Sequence, residues 1–220
     1  MLKHKYKEII FLNFVLNKER AYLSQLLFIE PPVLESESII LRPLQQEDAR
    51  YLFSISYPEV WTYMFGEIKS ETEMEKHVSK KIQLRNQMKA LPFVVVLRET
   101  NEIIGTTSIY EINLSQKSCE IGATWYASNF LRTFVNSECK YLLLKFCFEE
   151  LKMIRVQFKT DERNVRSQKA IERLGAIKEG ILRKERILEN RYIRNAVIYS
   201  ITDDDWGKVK QVILEKKELH

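Results

Sequence analysis

The sequence predicts a mixed α/β domain, a mixed sheet with helices on both faces. Three observations carry that reading. Residues 119–175 run strand, loop, long helix, strand and helix, a β-α-β-α unit. Apolar runs with strand character flank it, 92–98 and 102–111 before, 176–187 and 191–202 after. A content of 45 % hydrophobic and 11 % aromatic residues over 220 positions is ample for one sizeable core and argues against disorder.

Taken in order, residues 1–27 carry Lys3, Lys5 and Lys7, then an apolar run from Ile9 to Leu16 broken by Asn13. The run is too short to span a bilayer, Glu8 interrupts its approach and no small-x-small cleavage site follows, so an accessory helix is expected rather than a signal peptide. Pro31 and Pro32 separate this extension, residues 1–32, from a domain at 33–206, with a helical tail at 207–220. A short strand is expected at 39–44, a helix at 47–56, a turn at Tyr57–Pro58 and a short aromatic helix near 61–65. Ser70 and Glu73 have capping-box spacing and open a helix reaching about residue 89. The hairpin 92–98/102–111 turns at Thr100–Asn101 and leads into the strand 119–126. The unit that follows is a loop at 127–135, a helix at about 136–151, a strand at 154–160 and a helix at about 164–174. The last two strands join at 188–190, and a terminal helix is expected at 206–219.

Charge and cysteine content set further bounds. The net charge of +5 suits an anionic ligand, and acids and bases are interspersed with no block of five like charges. Basic residues are not interleaved with aromatics in one patch, so nucleic acid is disfavoured. Cys119, Cys139 and Cys147 lack metal-ligand spacing, and the last two lie too far apart along one helix to bridge. They read as reduced core thiols in a cytoplasmic protein with no metal.

Several residues could carry chemistry. A loop feeding a helix N-terminus offers free amides and the positive end of a dipole to an anion, here over Leu131, Arg132, Thr133, Phe134, Val135 and Asn136. Strand alternation puts Glu120, Gly122 and Thr124 on one face, with Ile121, Ala123 and Trp125 on the other. Glu120 is either a working carboxylate or a salt-bridged structural one. Gly122 marks either a bulge or ordinary packing. Asn164 makes a good N-cap, with Ser167 in the first turn. His77 reads as solvated on its helix, Tyr192 and Tyr199 as core, and Glu67, Glu71, Glu73 and Glu75 as a solvated helix start.

Two phrases, CEIGATWYASNFLRTFVNSECKYLLL (119–144) and RVQFKTDERNVRSQKAIERLGA (155–176), resemble the GNAT acyltransferases, in the branch holding the ribosomal-protein N-acetyltransferases. The resemblance covers about residues 33–206 and implies the acyl-CoA N-acyltransferase fold, a mixed, mostly antiparallel sheet. It also implies acetyl-CoA as cosubstrate, a primary amine acceptor such as a peptide N-terminus or small amine, a monomer or homodimer, and no membrane. The family's Arg/Gln and glycine loop positions fall on Leu131, Arg132 and Phe134, a departure from the pattern. A glycine-poor branch with a following Val-Asn, like Val135–Asn136, still implies a backbone cradle for pyrophosphate. The family's Asn-x-x-Ser-x-x-x-x-Glu-x-x-Gly pattern falls on Asn164, Ser167, Glu172 and Gly175. By the same resemblance Asn164 contacts the pantetheine arm, Ser167 protonates the leaving thiolate, Glu120 is general base, and amides around Gly122–Thr124 hold the oxyanion. The alternative is a non-catalytic module of the same fold that binds RNA, ribosome or a protein partner.

Overall fold

The computed structural model describes residues 25–64, 66–189 and 191–218. The chain divides into two compact units, residues 1–32 and 33–220. Of the first, residues 25–29 are helical and the Glu30 amide donates to the Leu26 carbonyl at 2.8 Å. The accessory helix expected at 1–27 lies almost wholly outside the described residues.

The second unit opens with β1 (Leu34–Glu35) and β2 (Ile39–Pro43), then α1 (Asp48–Ile55), α2 (Pro58–Trp61) and α3 (Glu71–Asn86). The hairpin β3 (Ala90–Leu97) and β4 (Ile103–Asn113) follows, then β5 (Ser118–Tyr126), α4 (Val135–Lys145) and β6 (Arg155–Asp161). The chain continues through α5 (Val165–Arg173), β7 (Ile177–Ile187), β8 (Ile193–Thr202) and α6 (Asp203–Glu218). One eight-stranded sheet has the order β1-β2-β3-β4-β5-β6-β8-β7. Every neighbouring pair is antiparallel except β5–β6. This is the mixed, mostly antiparallel sheet expected.

Period-2 alternation in β3 sends Val94 and Val96 into a core with Leu52 of α1, Trp61 of α2, Met74 and Val78 of α3, and Trp125 of β5. α4 buries Val135, Cys139, Leu142 and Leu143, an i, i+4, i+7, i+8 stripe. It continues into one π turn, Phe146–Glu150, where the Leu151 amide donates to the Phe146 carbonyl. α6 packs there, with Trp206 stacked on Phe148 at 5.4 Å and Lys210 bonded to Glu149 at 2.7 Å.

Some local expectations shift. β1 has only two residues, too few for a period-2 signal. The short helix expected near 61–65 lies upstream at Pro58–Trp61, because Pro58 occupies its first turn, where a missing N–H costs nothing. α6 starts at Asp203 rather than at Trp206; Asp203, Asp204 and Asp205 fill its first turn, and Asp205 accepts from the Thr202 amide at 3.0 Å. Ser70 caps α3 as expected, accepting from the Glu73 amide at 3.2 Å, but Glu73 reaches back to the Lys69 amide at 2.7 Å. His77 is not solvated. It lies edge-on to Trp61 at 5.9 Å, and burial, with Lys81 and Lys80 nearby, lowers its pKa to about 3, so the imidazole is neutral. Cys119, Cys139 and Cys147 are free and buried, as expected.

Candidate active site

β5 and β6 pair over three positions only, Ser118–Arg155, Cys119–Val156 and Glu120–Gln157. Beyond Glu120, β5 stays with β4 to Tyr126 and β6 stays with β8 to Asp161, so the two parallel strands part into a wedge. Parallel strands end on the same side. The helices that follow them, α4 and α5, therefore both begin at the mouth of the wedge, where their N-terminal amides favour an anion.

A bulge interrupts β5 inside the wedge. Thr106 opposes Trp125 and Ser108 opposes Gly122, so Thr107 alone faces two residues, Ala123 and Thr124. Sequence reasoning put such a bulge at Gly122, but the left-handed residue is Ala123, with φ +47°. The extra residue reverses the alternation, which corrects the expected faces. Thr124 turns towards α4, where Lys140 Nζ donates to its Oγ1 at 2.6 Å, while Glu120 lies on the other face beside Gly122. The bulge breaks the regular ladder between β4 and β5 at residues 123 and 124.

Glu120 is half-buried at the base of the wedge. Its Oε2 accepts from Gln157 Nε2 at 3.0 Å and lies 3.3 Å from Lys159 Nζ. Lys159 also lies 3.5 Å from Glu185, which is 3.4 Å from Arg194. One carboxylate oxygen is thus anchored, while Oε1 has no hydrogen-bond partner among the described residues and faces Gly122. A cationic acceptor could approach that free oxygen.

The loop before α4 makes a 3₁₀ turn, Ser128–Phe130, and reaches the helix through Leu131 (φ −72°, ψ 138°). Arg132 has φ +63° and Phe134 is already αR at −61°, −24°. Arg132, which stands at a family glycine position, therefore adopts the backbone that a glycine adopts without strain. Thr133 Oγ1 donates to the Phe130 carbonyl at 2.8 Å and accepts from the Val135 amide at 3.4 Å. The amides of Arg132, Thr133, Phe134, Asn136 and Ser137 make no hydrogen bond among the described residues. A row of unpaired amides at a helix start is what the phosphates of CoA require, so the residues fit the group despite the missing glycines. Arg132→Gly is expected to stabilise the fold by about 1 kcal/mol through relief of its left-handed backbone. Both Arg132→Gly and Arg132→Ala are expected to weaken CoA binding by roughly 1.5–3 kcal/mol if the exposed guanidinium pairs with phosphate. Unchanged affinity in both variants, measured by calorimetry, would limit the cradle to the backbone.

At the second helix start, Asn164 Oδ1 accepts from the Ser167 amide at 3.0 Å, so Asn164 is the N-cap. Its Nδ2 and the Ser167 hydroxyl make no hydrogen bond among the described residues and remain available to a ligand. Gly175 ends α5 with φ +95°, a conformation that favours glycine, and an added Cβ would sit 3.1 Å from Val209. Glu172 accepts from the Tyr199 hydroxyl at 2.9 Å, tying α5 to β8. Tyr199 is fully buried, and burial and Glu172 push its pKa to about 12, so it is a structural phenol. Sequence reasoning missed Lys140, a cation next to the apolar stripe of α4. Burial lowers its pKa to about 8, while Cys139 works in the opposite direction. Its place beside that stripe was the available signal. Ala123 gave none.

Residues 38–177 match the model described as an acetyltransferase (GNAT) domain. Protein p20 of Bacillus licheniformis, an uncharacterised N-acetyltransferase, is 30 % identical over 165 residues, covering 73 % of this chain and 90 % of that one. A GCN5-related N-acetyltransferase from Brucella melitensis superposes with a TM-score of 0.78 at 23 % identity, over 84 % of this chain and 85 % of that one. RimJ of Mycobacterium smegmatis, solved with CoA-disulfide, gives a TM-score of 0.72 at 19 % identity, over 86 % and 96 %. The last two likenesses speak for the fold. With the matched domain over most of the folded unit, the chain belongs to the GNAT acetyltransferase family and is an N-acetyltransferase.

Proposed function

We propose that the chain moves an acetyl group from acetyl-CoA to a primary amine, a protein N-terminus or a small-molecule amine, by direct transfer. The observation that carries this reading is the wedge beyond Glu120, flanked at its mouth by the unpaired amides before α4 and by the Asn164–Ser167 start of α5. Acetyl-CoA supplies an acetyl thioester, whose carbonyl carbon is the electrophile. The amides of Arg132, Thr133, Phe134, Asn136 and Ser137 hold the pyrophosphate, while that of Leu131 is taken by the Ser128 carbonyl, and Asn164 Nδ2 bonds the pantetheine arm.

Only a neutral amine attacks a thioester, so the free Oε1 of Glu120 accepts the acceptor ammonium's proton. The amine nitrogen then bonds to the carbonyl carbon, the bulge amides at residues 122–124 stabilise the oxyanion, and the C–S bond breaks. Ser167 gives its hydroxyl proton to the departing thiolate and regains one from the amide nitrogen through solvent. Acceptor class sets how much Glu120 must do. Roughly 15 % of an α-amine is neutral at pH 7, against under about 0.1 % of a lysine amine. An α-amine asks less of a carboxylate whose other oxygen is bound to Lys159 and Gln157.

Catalysis resides in residues 33–206, preceded by the extension 1–32 and followed by the helical tail 207–220, in a cytoplasmic monomer or homodimer. Three unpaired thiols suit a reducing compartment. Among the described residues no helix is long and apolar enough to cross a membrane. The testing experiment is an acceptor screen, peptides with free N-termini beside polyamines and small amines, scored by free thiol release from acetyl-CoA. Amine-dependent release supports the reading. Thiol release that stayed at the amine-free rate with every amine tested, at every pH from 7 to 9, would contradict it.

A further inference from the structure

We infer that Lys140 is a positioning residue for acyl transfer, clamping the β5 bulge through Thr124 so that its amides face the reacting carbonyl. The inference rests on the acetyl-transfer reading above and goes beyond it, since Lys140 lies on α4 behind the strand and not in the wedge.

Lys140 is 6 % exposed and has no carboxylate within ion-pair distance among the described residues. A buried ammonium without an anion costs stability, and an apolar side chain of similar length would pack there at lower cost. The groups around it offer no compensating charge. Cys139, beside it on α4, and Tyr126, on β5, are both pushed up by burial and stay neutral. Glu138, two residues away, is turned to the β1–β2 connection, where it accepts from Ser36 at 3.1 Å and Ser38 at 3.4 Å. Fold stability therefore does not explain this lysine.

What it does touch is the bulge. Its ammonium donates to Thr124 Oγ1 at 2.6 Å, and that oxygen lies 2.7 Å from Oγ1 of Thr107, the one β4 residue opposite the bulge. The Gly122 carbonyl, on the other side of Ala123, is 3.4 Å from the same oxygen. Lys140 can only donate, so the Thr124 hydroxyl hydrogen must go to Thr107 or to Gly122. Both directions cross the bulge and hold it shut around Ala123. Further along the same strand Tyr126 donates to Asn136 Oδ1 at 3.3 Å. Asn136 is the second residue of α4. The strand that carries the bulge is thus bonded to α4 at two places, Thr124 to Lys140 and Tyr126 to Asn136.

The test compares full-length wild type with Lys140→Met and Thr124→Val. Lys140→Met is expected to melt higher than wild type, to bind CoA within about twofold of it by calorimetry, and to lose at least tenfold in kcat with little change in KM. Amide hydrogen exchange at Ala123 and Thr124 is expected to speed up at least fivefold in both variants. Thr124→Val should reproduce the kcat loss, and the double variant should be no slower than the worse single one, as residues acting in series behave. Unchanged exchange at Ala123 and Thr124 would overturn the clamp, as would a lower melting temperature with weaker CoA binding, the mark of a merely structural lysine. Thiol release by wild type reports on acetyl transfer separately, so the exchange measurement decides the clamp whatever that assay gives.

Discussion

Glu120→Gln is expected to lower kcat on the order of 10²- to 10⁴-fold, the usual span for loss of a general base. The substitution keeps the shape, and the amide oxygen can still accept from Gln157 and Lys159, so the base of the wedge should stay assembled. CoA affinity should be near that of wild type, because the amides that take the pyrophosphate lie at the far end of β5. The deficit should shrink as pH rises, because more acceptor amine is then neutral without help. That slope separates a base from a structural acid. A Gln variant turning over near the wild-type rate at pH 7 would demote Glu120 to a partner of Lys159 and leave positioning and oxyanion donors as the whole mechanism.

Gly105→Ala is expected to have the largest effect on stability. Gly105 opposes Val95 in β3 and Tyr126 in β5, so backbone closes on it from both sides. An added Cβ would land against the Trp125 carbonyl oxygen and 2.9 Å from Tyr126 Cα. These are backbone atoms that cannot rotate away, so the cost is that of overpacking, about 1–3 kcal/mol. For a chain of this size that is a fall of about 2–12 °C in melting temperature. The displaced strand end carries Tyr126 and its bond to Asn136, so CoA binding should weaken along with stability. An alanine variant with wild-type melting would show that β4 and β5 can separate at no cost, against the register described.

How much of this was legible in the sequence differs between elements for physical reasons. The stretch from Asn164 to Gly175 was legible because it is local: a cap and a left-handed glycine are fixed by neighbours a few residues away. The sheet class was legible from alternation and element order. A bulge was legible at Gly122 as one of two readings, but its place at Ala123 was not, because an alanine at φ +47° is imposed by pairing with β4 and leaves no mark on composition. Strict alternation left that extra residue out, so it put Thr124 beside Glu120 when the bulge turns it to Lys140. The point at which the wedge opens was not legible, because where two strands stop pairing depends on register between segments 37 residues apart. His77 was misread for a related reason. Lys76 and Lys80 made its surroundings look polar, and only the packing of α3 against α2 brings Trp61 over the ring. The glycine-poor loop is the opposite case. The sequence argued that amides do not depend on side-chain identity, and the structure shows Arg132 taking the glycine-like conformation itself.

The wedge between β5 and β6 is proposed to take CoA on the unpaired backbone amides within residues 132–137. Isothermal titration of the full-length chain with acetyl-CoA tests it most directly, paired with thermal unfolding in the same buffer. The account expects one site with micromolar-range affinity, and at 100 times the dissociation constant a stabilisation of about 2.7 kcal/mol. No heat and no thermal shift at millimolar acetyl-CoA would contradict it.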